Sequence, residues 1–314
     1  GEQHGFGGQG RSHGDHVRDR RADPRGPEGW RSEPRTSPGP RFIHQTRKVS
    51  DFETLLYDVA DGVATVTLNR PDKYNAFNET MLDEVSGLWH RLRSDDDVRC
   101  VILTAAGDNA FCTGIDREEA LSDEEEEFSY EPYAWDDPGE RLGPKSCGLW
   151  KPVIAAVNGM ACGGAFYMLG EVEFIIAADH ATFFDPHVTY GMPAIYEPLL
   201  MSYRMPYGEV MRMTLLGTHE QVTAERAHQI GLVSEVVPGG ELMERASWAA
   251  AAIASQPSVP VQATVKTIWA TRELTRRQAL EVAPQLLSAG LAAEHIAEGQ
   301  RTFSSGERIV PRRR

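Results

Sequence analysis

Cysteine is scarce and scattered in this chain. Cys100, Cys112, Cys147 and Cys162 form no Cys-x-x-Cys pair and no metal-like spacing. That excludes a disulfide framework and predicts a reduced, cytoplasmic protein without a bound metal. Long apolar runs are missing too. No segment approaches the ~20 apolar residues of a membrane span, and no apolar signal core follows the first residues. The sequence has no Gly-Lys-Ser/Thr phosphate loop and no Gly-x-Gly-x-x-Gly dinucleotide turn. It has no Gly-x-Ser-x-Gly nucleophile elbow. His219-Glu220 is followed by Thr223, where a zinc-peptidase motif needs a second histidine.

Charge is present but uneven. The 314 residues carry a net −14, yet residues 1–50 hold ten Lys and Arg against six Asp and Glu, and the chain closes on Arg312-Arg313-Arg314. The body is therefore more acidic than the total, which argues against nucleic acid as a partner, because phosphate is repelled. Residues 1–50 are rich in Gly, Pro, Arg and Asp with few apolar residues. They read as a disordered, dispensable extension that buries too little surface to offset its ordering entropy.

From Ser50 onward the pattern changes. Leu55 to Leu68 alternates about Asp61-Gly62, which predicts a β-hairpin. Asn78 opens a helix with Met81, Leu82, Val85, Leu88, Trp89 and Leu92 on one face. Short apolar runs at 98–103, 152–157 and 174–177 read as buried strands alternating with helices, an α/β pattern. Between them, 122–140 pairs the acidic run Asp123–Glu127 with Phe128, Tyr130, Tyr133 and Trp135. The charges suit a solvated loop, and the aromatics suit a cover over an apolar site. Beyond Gly231 helices are expected at 240–255, 258–271 and 274–298. Ala249 to Ala252 permit close packing of the first.

Two segments carry the chemical signal. Ala110-Phe111-Cys112-Thr113-Gly114-Ile115-Asp116 and Asn158-Gly159-Met160-Ala161-Cys162-Gly163-Gly164-Ala165 each place glycine where a strand gives way to a helix. Glycine there lets a ligand approach the backbone, and free N–H groups attract negative charge. Two such loops facing one another form an oxyanion hole.

Five blocks, in order, resemble the crotonase (enoyl-CoA hydratase/isomerase) superfamily. They are Val66–Asn78, the two glycine loops, Thr223–Ala227 with Gly231-Leu232-Val233 and Val236-Val237-Pro238, and Glu298–Phe303. The resemblance implies a spiral of ββα units over 51–240 and a C-terminal helical region, 241–314, that builds trimers or hexamers. It implies an acyl-CoA thioester as substrate, with CoA the only cofactor and part of that substrate. By position, the backbone N–H groups of Ile115 and Gly164 stabilise an enolate, with Gly114 and Gly163 beside them. CoA lies along Lys73, Asn75 and Ala76, with Asp116 and Arg117 nearby, and Arg117 in reach of a phosphate.

The sequence departs from the family at the two catalytic glutamates. Their positions hold Tyr167 and His187. Imidazole titrates near neutrality and suits proton transfer, whereas a phenol with a reference pKa of ~10 is a poor base. Glu197, ten residues beyond His187, is expected to orient the imidazole, with Asp185 as the second candidate. Similar Pro-His segments with a downstream carboxylate occur in the β-diketone hydrolases typified by 6-oxocamphor hydrolase, which cleave C–C bonds without CoA. An acyl-CoA enzyme, such a hydrolase and a non-catalytic acyl-CoA-binding homologue are thus three readings, separated by CoA binding and turnover.

Overall fold

The computed structural model describes residues 52–120, 137–306 and 309–313. The expected disordered extension and most of the acidic aromatic loop lie outside the described residues.

The hairpin forms as predicted, from β1 (Leu55–Ala60) and β2 (Val63–Leu68). Asp61 and Gly62 take φ of 50° and 80°, the two positive values of a tight turn that follows the strand twist. The helix α1 (Glu79–Leu92) starts where the Asn78 side chain accepts from the Met81 N–H, and it buries the six predicted apolar residues.

Three long strands then repeat one motif. β3 (Cys100–Ala105) leads to the short β4 (Ala110–Cys112) and the helical turns α2 (Arg117–Ala120) and α3 (Gly139–Leu142). β5 (Val153–Val157) leads to β6 (Met160–Cys162) and α4 (Ala165–Glu171). β7 (Phe174–Ala178) leads to β8 (Thr182–Phe184), α5 (Tyr196–Met201) and α6 (Tyr207–Leu216). Then come β9 (Val222–Thr223), α7 (Ala224–Gln229), β10 (Glu235–Val237) and α8 (Leu242–Ala254). The long strands form one sheet in the order β1-β2-β3-β5-β7-β10, parallel beyond β1. The short strands form a second sheet, β4-β6-β8-β9. This is the spiral of ββα units expected from the resemblance.

Strand alternation divides the core. Val101, Leu103, Val153 and Ala155 face α1 and its neighbours, whereas Cys100, Ile102, Ile154 and Ala156 face α8. Ala246, Ala249 and Ala250 let α8 lie close on that second face. α9 (Ser258–Glu273) is as predicted. The single helix expected at 274–298 is in fact two, α10 (Arg276–Gly290) and α11 (Ala293–Ser304). The break falls where Leu291 and Ala292 leave helical dihedrals just after Gly290. Among the described residues no helix is long and apolar enough to cross a membrane.

The second sheet positions the site. β4, β6 and β8 are adjacent and parallel, so the segments after their C-terminal ends emerge side by side. Those segments are Thr113–Asp116, Gly163–Gly164 and Asp185–His187. Ligands of open parallel sheets bind at that end of the strands.

Candidate active site

The two glycine loops do face one another. A Cβ on Gly114, whose φ is +86°, would lie 3.0 Å from the backbone nitrogen of Gly164. A Cβ on Gly164 would strike the Phe77 ring at 2.5 Å. The first loop is pinned by a parallel bridge between Phe77 and Ile115. The Phe77 N–H donates to the Gly114 carbonyl (2.8 Å), and the Asp116 N–H donates to the Phe77 carbonyl (2.8 Å). That pattern turns the Ile115 N–H away from Phe77. The N–H groups of Ile115 and Gly164 have no acceptor among the described residues.

Both loops line a cavity of about 440 Å³ with His187, Arg117, Tyr190 and the apolar Met160, Phe184 and Met192. Cys162 also lines it, but burial pushes its thiol up to about 12. It therefore stays protonated and is no nucleophile near neutrality.

His187 opens a 3-10 turn, His187–Tyr190, just after β8. Asp185 Oδ1 accepts from both the His187 backbone N–H (3.0 Å) and its Nδ1 (2.6 Å). This clamp fixes the tautomer, so neutral His187 carries its lone pair on Nε2. Glu197 Oε1 lies 3.5 Å from Nε2. Asp185, the second candidate for orienting the ring, holds Nδ1, and Glu197 approaches the other nitrogen, Nε2. The three groups offer donor atoms within 4.8 Å of one another. Asp185 contacts Nδ1 and Glu197 approaches Nε2, so both carboxylates gather around one imidazole.

Tyr167, on α4, is buried and does not line the cavity. Its hydroxyl donates to Asp137 Oδ2 (3.3 Å) and also meets Glu197. α4 and α5 approach closely enough for this because Gly170 leaves room for Leu200: a Cβ on Gly170 would lie 2.6 Å from the Leu200 Cβ. Burial, then Glu197 and Asp137, drive the Tyr167 pKa up, so its phenol is a fixed donor and no base. A phenol hydroxyl has one hydrogen. That one hydrogen is shared between the Asp137 and Glu197 carboxylates. Burial raises the Glu197 pKa, and His187 and the bond from Tyr167 oppose it. For His187 the hydrogen bond to Asp185 raises the pKa, burial opposes it and Glu197 adds to it.

The remaining candidates have other work. Asn75 is buried at φ 55°, and its amide serves Arg70 N, Ala106 O and Ala110 O. Asp116 is buried in an ion pair with Arg70 (2.8 Å), and Lys73 pairs with Glu118. Ala76 is buried. The side chains of Asn75 and Asp116 therefore hold the loops. None of Lys73, Asn75, Ala76 and Asp116 lines the cavity. Asp137 escaped sequence reading altogether, since it lies within 122–140, where only the acidic run 123–127 and the aromatics stand out. Its one local signal is the Pro138-Gly139 that follows, where the Gly139 N–H donates to its Oδ1 (2.8 Å).

The sequence profile of the enoyl-CoA hydratase/isomerase family matches residues 58–308. The chain is 32% identical to an (E)-benzylidenesuccinyl-CoA hydratase from Thauera aromatica over 255 residues, 81% of this chain and 96% of the relative. It is 34% identical to a 1,2-epoxyphenylacetyl-CoA isomerase from Escherichia coli over 212 residues, 66% of this chain and 78% of the relative. Among solved structures it resembles an enoyl-CoA hydratase/isomerase from Mycobacterium paratuberculosis. The TM-score is 0.71 at 35% identity, covering 81% of this chain and 96% of that one.

Proposed function

The chain belongs to the enoyl-CoA hydratase/isomerase family, and from that premise we propose that it acts on an acyl-CoA thioester through an enolate, with His187 as the proton-transfer group. One observation carries this reading. Two backbone N–H groups with no acceptor among the described residues, Ile115 and Gly164, line the same cavity as the His187 imidazole, whose Nδ1 is held by Asp185 and whose Nε2 lies 3.5 Å from Glu197. The thioester oxygen sits between the two N–H groups, an oxyanion hole. Nε2 takes the proton from the carbon next to the thioester, the C–H electron pair becomes the C=C bond of the enolate, and the carbonyl π pair moves onto that oxygen. The imidazolium, beside Asp185 and Glu197, then returns the proton to carbon. Neither Glu position of the two-glutamate hydratases is a carboxylate here, so the enolate step rests on His187.

Deuterium exchange tests this before the natural acyl group is identified. A panel of saturated acyl-CoA thioesters in D₂O should take up deuterium at the carbon beside the thioester, read by mass spectrometry. A panel that neither binds nor exchanges would sink the reading. A second reading, a CoA-independent C–C hydrolase, draws on the His187–Glu197 contact. It predicts hydrolysis of cyclic β-diketones and no affinity for CoA.

We also propose a trimer or a multiple of one, with the family resemblance as the argument for three-fold symmetry. Leu199, Tyr203, Tyr207, Met211 and Leu215 are exposed at four-residue intervals along α5, the turn after it and α6. Leu280, Leu287, Leu291 and Phe303 are exposed on and after α10 and on α11. Apolar surface of this extent suits burial between subunits. Light scattering at micromolar protein should give three copies or six; a clean monomer would refute the proposal.

A further inference from the structure

Arg117 lines the cavity without a carboxylate partner among the described residues. Its neighbours in sequence are both spoken for, since Asp116 pairs with Arg70 and Glu118 with Lys73. The Arg117 guanidinium instead sits 4.5 Å from the centre of the Tyr190 ring. A guanidinium laid against a ring keeps its edge N–H groups free, and those suit a planar, two-oxygen anion. Arg117 follows the donor Ile115 by two residues, and Tyr190 closes the turn that His187 opens. The stacked pair therefore bridges the donor loop and the proton-transfer loop.

Resting on the acyl-CoA reading above, we propose that the acyl part of the substrate carries a carboxylate, held at the cavity wall by Arg117 stacked on Tyr190. Position separates this from a phosphate contact. The phosphates of CoA lie a full pantetheine arm away from the thioester, whereas Arg117 sits beside the groups that hold the thioester oxygen. Asp185 is the main influence on His187, but Arg117 is among the charges acting on the imidazole, which puts the two in electrostatic reach. An uncompensated cation in that place favours an anionic acyl group over a neutral one. The apolar side chains of Phe184 and Met192 on the cavity wall accommodate the intervening carbons.

The test compares the affinities of free CoA, butyryl-CoA and the dicarboxylic monothioesters from succinyl-CoA to adipyl-CoA by calorimetry. At least one dicarboxylic thioester should bind about tenfold or more tighter than butyryl-CoA, the scale of a charge-assisted hydrogen-bonded pair. Arg117→Gln should erase that preference while changing free CoA and butyryl-CoA far less, and Arg117→Lys should restore only part of it. Equal weakening of all ligands, free CoA included, would make Arg117 a phosphate contact and overturn the proposal. So would the absence of any preference in the parent protein. Should no CoA compound bind, the same comparison with N-acetylcysteamine thioesters separates the two ideas. An Arg117-dependent preference there keeps the carboxylate site and discards the CoA reading, and its absence discards both.

Discussion

Replacing His187 by Gln is expected to lower turnover, or the rate of deuterium exchange, by roughly the 10²–10⁴-fold typical of a lost general acid or base. The oxyanion donors can polarise a thioester but cannot accept its proton. Tyr167 is held as a donor, and Glu197, 3.5 Å from Nε2, is buried and does not line the cavity. The Gln amide still reaches Asp185, so the fold should survive with little change in melting temperature. The pH dependence has a definite sign. The hydrogen bond to Asp185, reinforced by Glu197, raises the His187 pKa above its reference of ~6.5, against burial and Arg117. A base must be neutral to act, so activity should fall with acid along a limb centred above 6.5, and that limb should vanish in the variant. The stability linkage follows the same shift. The folded state binds the proton more tightly, so its contribution is complete below ~6.5 and fades as pH rises through the folded-state value. Denaturation across pH 5 to 9 should show that slope in the parent and lose it in the variant. Full activity of His187→Gln between pH 6 and 8 would place the base elsewhere, with Glu197 the next residue to test.

What the sequence made legible was local. The hairpin about Asp61-Gly62 and the buried face of α1 follow from periodicity within a dozen residues, and both appear as expected. The two glycine loops were legible because glycine alone tolerates φ near +86° at Gly114 and a neighbour as close as Phe77 at Gly164. The second sheet was not legible. β4, β6, β8 and β9 are two or three residues long, too short for an alternation to register. Yet it is this sheet that brings the site loops together. Glu197 and Asp185 could be named, but their division of labour could not. It depends on which ring nitrogen each one meets, and Asp185 takes Nδ1 through a two-residue turn that no spacing rule distinguishes from a reach to Nε2. The resemblance marks Asn75 by its position, but that its amide is used by three backbone groups of its own loop and the next could be seen only in the structure.

Gly114→Ala should be the most damaging change that adds a single methyl group. Two costs arise from one atom. The first is conformational: φ of +86° lies where an L-residue is strained by about 1–2 kcal/mol, and the loop cannot relax freely because Phe77 bridges its next residue. The second is chemical. The new Cβ would lie 3.0 Å from the Gly164 nitrogen, in the space its N–H needs to reach a ligand oxygen. Losing one such donor costs about 10²–10³-fold in turnover. Activity should therefore drop by at least that factor while the protein remains folded, its melting temperature lowered only modestly. The His187 titration, followed by NMR, should stay where it is, since Asp185 and Glu197 are untouched. That combination separates a blocked oxyanion hole from a general collapse of the site, which would move the His187 titration too. If Gly114→Ala folds and keeps its activity, the Gly164 N–H does not bind the reacting oxygen, and the enolate mechanism loses its main support.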